Sequence, residues 1–499
     1  MRTLSKSKLL AFRQCPKRLW LEVHQPELRE DSSATQASFT VGHQVGDIAR
    51  KLYDPKSKGA LIDPQSEGFD AAFERTQELL QTAQPIFEAG FRAEGALAFA
   101  DVMQPVKKSG KLAWRMVEVK SSTSVKDYHL DDAAVQAFLA RSCGVPLAAI
   151  ALAHIDSSWV YPGNDDYSGL LMEVDLTGEV FGRDEEVRGW ISGAQKIVAK
   201  KKEPQISSGG HCNKPYECGF FAYCQSQEPQ AERPINWLPG RLSNALQAHI
   251  EAYDVTELHD VPDELLNSQQ KRVKSVSISG VTYFERQSLA EALAAYSLPG
   301  YFLDFETINF PVPIWKGTRP YQQITFQFSV HRLSRTGKLK QEAFIDLSGN
   351  DPTRPFAETL IAACGERGPI FVYNAGFETA RIRELADRFP RLAKPLLALN
   401  ERVVDLLPLT RKHYYHPSQQ GSWSIKAVLP AVCPDLKYDD LEGVQDGGMA
   451  MEAFLEALAP QTSNERKAAI ERQLLSYCAL DTYAMVRLWA AFSGTDLKV

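Results

Sequence analysis

Apolar residues recur at helical spacing in LSNALQAHIEAY (242–253) and QSLAEALAAY (287–296), so both are predicted as amphipathic helices. Between them KSVSISGVTYF (274–284) alternates apolar and small polar residues, which predicts a short strand pair. From Tyr301 onward strands alternate with helices. YFLDFET (301–307) and PIFVYN (369–374) are short apolar runs suited to a buried sheet, and ITFQFSVHRL (324–333) alternates as a hairpin strand does. Residues 377–388 and 464–494 carry helical periodicity. In the first half, FADVMQPV and WRMVEVK are two strand-like segments joined by a polar, basic turn. The polar run QSQEPQAERP (225–234) reads as a linker. No fixed-period repeat and no low-complexity tract interrupts the pattern.

These patterns divide the 499 residues into an N-terminal domain over 1–228, a mostly helical connector over 229–297 and a C-terminal α/β domain over 298–499. Apolar residues make up 44% and charged residues 24%, which places the chain with globular proteins and excludes wholesale disorder. No apolar stretch approaches the ~20 residues that span a bilayer, and the basic start lacks the apolar segment of a signal peptide. A cytoplasmic protein with no membrane partner is the expectation. The formal net charge of −6 excludes a protein coated in basic residues, so any nucleic-acid contact must be local. KKSGK near 108, KIVAKKK near 198, Trp237, Trp423 and the Tyr414–Tyr415 pair are the places to look for it.

Alternation along WRMVEVK places Glu118 and Lys120 on one face of a strand, with Asp101 on the preceding strand. Asp101 and Glu118 suit a hard divalent cation, while Lys120 orients or deprotonates a water or stabilises charge on a phosphate. E-x-K is also common on exposed hairpins as a salt-bridged pair. The stretch LSKSKLLAFRQCPKRLWL, His43 in VGHQVGDIAR, Asp101, Glu118, Lys120 and Gln136 occur in an order that resembles the PD-(D/E)xK nuclease superfamily, in its RecB-like branch. That resemblance spans about 15–225. It implies a restriction-endonuclease-like fold, with His43, Asp101 and Glu118 holding Mg²⁺ or Mn²⁺, Lys120 assisting catalysis and Gln136 contacting nucleic acid. Two positions depart from the pattern: Ala140 stands where the family has a Tyr, and Ala100 precedes the Asp where it has a Pro. Glu88 is a further acid for the same pocket.

Eight cysteines in a chain of this length are too sparse for a disulfide scaffold. Cys143, Cys364, Cys433 and Cys478 sit singly in apolar surroundings and read as core residues. Cys212, Cys218 and Cys224 form C-x5-C-x5-C, with Cys15 almost 200 residues upstream. Four thiolates suit an iron–sulfur cluster or structural zinc, the latter with His211 as a further ligand. The distant cysteine plus a late trio is similar to iron–sulfur members of the RecB-like branch, which implies a [4Fe–4S] cluster stapling the ends of the domain together. The wide first C-x5-C step departs from that pattern.

In the second half Asp304 and Glu306 lie two apart on an apolar strand, an arrangement that is costly unless a cation neutralises it. Asn374 and Glu378 follow at a strand-to-helix turn, and Tyr477 and Asp481 lie four apart on one helical face. The ordered set resembles the DEDDy exonucleases of the RNase H-like fold. By that resemblance Asp304, Glu306, Glu378 and Asp481 bind two divalent ions, and Tyr477 positions the attacking water. The usual second-motif Asp is Glu378 here, with Asp405 as the backup acid. The whole chain is similar to fused bacterial proteins that join a RecB-like nuclease to an RNase H-like domain. This implies a metal-dependent deoxyribonuclease that processes ends in repair, recombination or defence against foreign DNA, with a 3′-to-5′ exonuclease-like second site. RNA is the alternative substrate, and a catalytically weak end-binding module is the alternative of another class.

Overall fold

The computed structural model describes residues 2–497, apart from the side chains of Ser33, Ala34 and Ala37. It is a mixed α/β chain that divides into two compact units. The first comprises residues 1–229 together with 310–321, and the second comprises 230–309 and 322–499. Two expected boundaries therefore change. The helical segment 229–297 clusters with the second unit instead of standing as a connector, and twelve residues of the expected C-terminal domain belong to the first unit. Those twelve residues carry apolar side chains that find their core there. Val312 is buried with Val45, Ile48, Ile155 and Leu170, and Tyr161 exchanges backbone hydrogen bonds with Gly317 and Thr318. No helix among the described residues is long and apolar enough to cross a membrane.

The first unit is built on a seven-stranded sheet: β1 (Leu4–Ser5), β2 (Ala60–Leu61), β3 (Ile86–Ala93), β4 (Ala96–Lys108), β5 (Lys111–Lys120), β6 (Leu147–Ile155) and β7 (Leu171–Asp175). The path runs β2-β3-β4-β5-β6-β7, with β1 added parallel to β4. Strands β3, β4 and β5 form an antiparallel meander, and the helix Asp127–Ser142 carries the chain to β6, parallel to β5. That helix is Ala-rich and buried on most sides, which is why it shows little amphipathic pattern.

The second unit contains β8 (Tyr283–Phe284), β9 (Gly300–Asn309), β10 (Gln323–Leu333), β11 (Leu339–Ile345), β12 (Ile370–Val372), β13 (Val403–Asp405) and β14 (Tyr414–Tyr415). Its main sheet has the order β11-β10-β9-β12-β13, with β9 to β11 antiparallel and β12 and β13 parallel to β9. Tyr301, Leu303 and Phe305 point to a core shared with Phe356 and Leu360, so Asp304 and Glu306 point the other way, toward the long helix Asn464–Ser493. The β9–β10 register shifts between Thr325 and Gln327, opposite Glu306, a bulge of the kind that re-aims side chains at functional sites.

The strand pair expected at 274–284 is not formed. Lys274–Ser279 end a helix, Ser268–Ser279, opened by a reciprocal Asn267–Gln270 cap and closed by left-handed Gly280. Its serines mimic strand alternation, while Val273 and Val276 bury at helical spacing. Only Tyr283–Phe284 is extended, and it pairs with β14.

Candidate metal centres

In the first unit the paired region of β4 and β5 ends at Val102 and Val117. Beyond it the strands part, and Asp101 Oδ2 accepts a hydrogen bond from Val119 N–H at 2.7 Å. Asp101 thus caps the strand that carries Glu118 and Lys120. Lys120 Nζ lies 2.6 Å from both Glu118 Oε1 and Asp132 Oδ2. Lys6, the first residue of the helix Lys6–Gln14, reaches the same two acids at 3.1 and 2.9 Å. Gln136 Nε2 donates to Glu118 and Asp132, and its side chain is fully buried. Gln136, expected to contact nucleic acid, is thus placed against these two carboxylates. Burial works against the charge on Lys120, yet Asp132 and Glu118 hold its ammonium well above the ordinary lysine range.

His43, on the helix Ser33–Tyr53, lines a cavity of about 240 Å³ with Glu88 and Asp101. Glu88 sits at the register position opposite Asp101, with a left-handed φ of 56°. Burial and the Glu118 charge push the Glu88 and Asp101 carboxyls up. The expected ligand atoms of His43, Asp101 and Glu118 do not converge within 4.8 Å of one another. The sequence reading missed Lys6 and Asp132; a lysine in the opening helix and an acid four residues before Gln136 were the only signals.

The four singled-out cysteines meet. Cys15 joins the first two helices, Cys212 ends a short 3-10 turn, Cys218 follows a loop and Cys224 lies on the helix Phe221–Ser226. All four line one cavity with His211, Lys17 and Arg18, packed by Trp20, Leu21 and Phe220. Gln14 Nε2 donates to the carbonyls of His211 and Tyr216, each at 2.8 Å, which ties the opening helix to the late loop. No three of these sulfurs lie within 4.8 Å of one another.

In the second unit Asp304, Glu306 and Asp481 bring one carboxylate oxygen each within 4.8 Å, the one group of three ligand atoms so gathered among the described residues. Burial raises all three, and repulsion from neighbouring acids adds to it at Asp304 and Glu306: Asp304 lies well above its ordinary value, Glu306 at about 8 and Asp481 at about 6. Glu378, on the first turn of the helix Gly376–Arg388, is 4% exposed and its Oε2 has no hydrogen-bond partner. Burial moves it to about 7, and its charge adds to that on Asp304. Asp405, the expected backup acid, is spent on the backbone. It accepts from Asn374, Ala375 and Leu407 N–H groups, each at 2.9 Å, and so braces the turn where Asn374 takes a φ of 81°.

Three residues absent from the expected set complete this site. Tyr438 Oη donates to Asp481 Oδ1 at 2.5 Å. Lys426 Nζ lies 5.0 Å from the Tyr438 ring centre and 5.2 Å from that of Tyr477, and its charge moderates the shifts of Glu306 and Asp481. The Cys478 thiol sits 3.6 Å from Asp304 Oδ2. By contrast, Trp423, Tyr414 and Tyr415 are buried and fill the core, and Trp237 is partly buried against an apolar cluster.

The family described as a domain of unknown function (DUF2779) matches residues 301–424. The matched stretch includes Asp304, Glu306, Glu378 and Asp405 and stops before Lys426, Tyr438, Tyr477 and Asp481. No curated protein matches the chain.

Proposed function

We propose that the chain is a divalent-metal-dependent nuclease whose principal hydrolytic site is the carboxylate cluster of the second unit. One observation carries the reading: three acids converge within 4.8 Å in a buried setting, with a fourth, Glu378, presenting an unpartnered oxygen nearby. Such a donor set is all oxygen and negatively charged, with no salt bridge to its members among the described residues, which fits Mg²⁺ or Mn²⁺. Two ions held there would supply an activated water and stabilise the attacking and leaving oxygens of an in-line phosphodiester displacement. Asp304 and Glu306 present their oxygens from one strand face, and Asp481 closes the set from the long helix. Tyr477, one turn before Asp481, is 5% exposed and keeps its phenolic proton because burial and the adjacent acids hold it far above its usual range. It is placed to donate a hydrogen bond to a water or phosphate oxygen. The strand order β11-β10-β9-β12-β13 is compatible with an RNase H-like unit, and the meander, crossover helix and β6 of the first unit with a PD-(D/E)xK unit.

For the first unit the same chemistry is proposed at Asp101, Glu118 and His43, with Lys120 as a fixed cation for phosphate. Glu118 would exchange lysine contacts for metal there. The cysteine cavity is proposed to hold a [4Fe–4S] cluster. Structural zinc, with His211 as a further ligand, is the alternative for the same thiols.

The test is cleavage of end-labelled single- and double-stranded DNA and RNA in Mn²⁺ and Mg²⁺, using anaerobically purified protein. Asp304→Ala should remove the principal activity and Glu118→Ala any second one. Preference for RNA would assign the substrate to the alternative class. Tight binding without cleavage in either metal would refute the hydrolytic reading and leave an end-binding module.

A further inference from the structure

We infer that Tyr438 is a positioning residue for the second metal centre, fixing the Asp481 carboxylate in its ligating orientation; the inference rests on the reading of that site given above. Tyr438 follows the helix Ile425–Val432 and lies in a short turn, Tyr438–Asp440, outside the segments that carry Asp304, Glu306, Glu378 and Asp481. Its hydroxyl donates to Asp481 Oδ1 at 2.5 Å, with both side chains less than a tenth exposed. A carboxylate has two oxygens, and a fixed donor on Oδ1 directs Oδ2 to a defined place. Without it the side chain loses one of the donors that restrain it, and a ligand that must be ordered on binding binds more weakly.

The surroundings keep Tyr438 in that role. Lys426 sits against the faces of both Tyr438 and Tyr477 and donates to the Gln445 carbonyl at 2.7 Å, anchoring the segment that carries Tyr438. The two tyrosine ring centres are 6.5 Å apart, and Tyr477 also offers its hydroxyl to Asp481.

Tyr438→Phe deletes one oxygen and preserves the packing. Mn²⁺ binding to the full chain is measured by electron paramagnetic resonance, and the component lost in Asp304→Ala defines the second centre. Tyr438→Phe is expected to weaken that component about 10–100-fold, the range for lost outer hydrogen bonds to ligands. Tyr477→Phe should slow cleavage, with a smaller loss of Mn²⁺ affinity than Tyr438→Phe. Unchanged or tighter Mn²⁺ binding in Tyr438→Phe overturns the inference, tighter binding meaning that the hydroxyl competes with the ion. Identical Mn²⁺ binding by the parent chain and Asp304→Ala overturns the metal centre itself, and with it this role.

Discussion

Lys120 and Asp132, from the end of one strand and the middle of the next helix, are joined at 2.6 Å in the core of the first unit. The E-x-K pattern thus conceals a second carboxylate, and the site is a four-membered network of Lys6, Lys120, Glu118 and Asp132. Burial opposes the charge on Asp132, but the two lysines hold its carboxyl far below the ordinary range. Its stability contribution is therefore full at neutral pH and lost only in strong acid. Asp132→Ala leaves two ammonium groups facing Glu118 alone and should cost about 3–5 kcal/mol in urea unfolding. Lys6→Met should cost less, because Lys120 continues to neutralise both acids.

The second centre has the opposite pH sign. Glu306, Glu378 and Asp481, at about 8, 7 and 6, all lie above ordinary carboxyl values. Folding raises their proton affinity, so the folded chain binds more protons than the unfolded one across this window. Stability without metal is greatest below about pH 4 for these groups and declines as pH rises to about 8. Melting temperatures measured in chelator should fall over that range, and Mn²⁺ should restore most at its upper end. Glu306→Gln should stabilise the metal-free chain at pH 8, by on the order of 1–3 kcal/mol, and abolish the Mn²⁺ effect.

Asp405 separates a structural acid from a ligating one. Removing its carboxylate orphans two backbone N–H groups, of Asn374 and Ala375, at the turn that launches Glu378, and a third, of Leu407, at the start of the helix Leu406–His413. Asp405→Ala should lower stability by about 2–4 kcal/mol. Asp405→Asn, which keeps one acceptor oxygen, should be milder and should leave Mn²⁺ affinity at the second centre unchanged. A loss of metal binding in Asp405→Asn would instead make it a ligand.

The cysteine cavity yields a test by composition. Anaerobically prepared protein should carry iron and acid-labile sulfide with little zinc, and Cys218→Ser should lose them. The same substitution should lower the melting temperature of the first unit, because the late loop is otherwise tied to the opening helix chiefly by the Gln14 hydrogen bonds. Stoichiometric zinc with no iron would assign the cavity to a single ion.

Period-two alternation was enough to place Asp304 with Glu306, and Glu118 with Lys120, on common strand faces, because side-chain direction in a strand is a local property. The helix carrying Tyr477 and Asp481 was legible for the same reason, as were the buried β9 and β12 and the separation of the C-x5-C-x5-C trio from the lone core cysteines. Local pattern failed where a partner came from elsewhere in the chain. Serine alternation at 275–279 looked extended until Val273 and Val276 found a helical face to bury. Gln136 and Asp405 had the right residue types for a nucleic-acid contact and a ligand, but burial turned one onto Glu118 and backbone N–H groups claimed the other. Lys6, Asp132, Lys426 and Tyr438 belong to no local motif, since a long-range ion pair or hydrogen bond leaves no periodicity. Which acids converge, which are neutralised by lysine and which remain unpartnered depends on strand register and helix packing between distant segments, and those arise only when the chain folds.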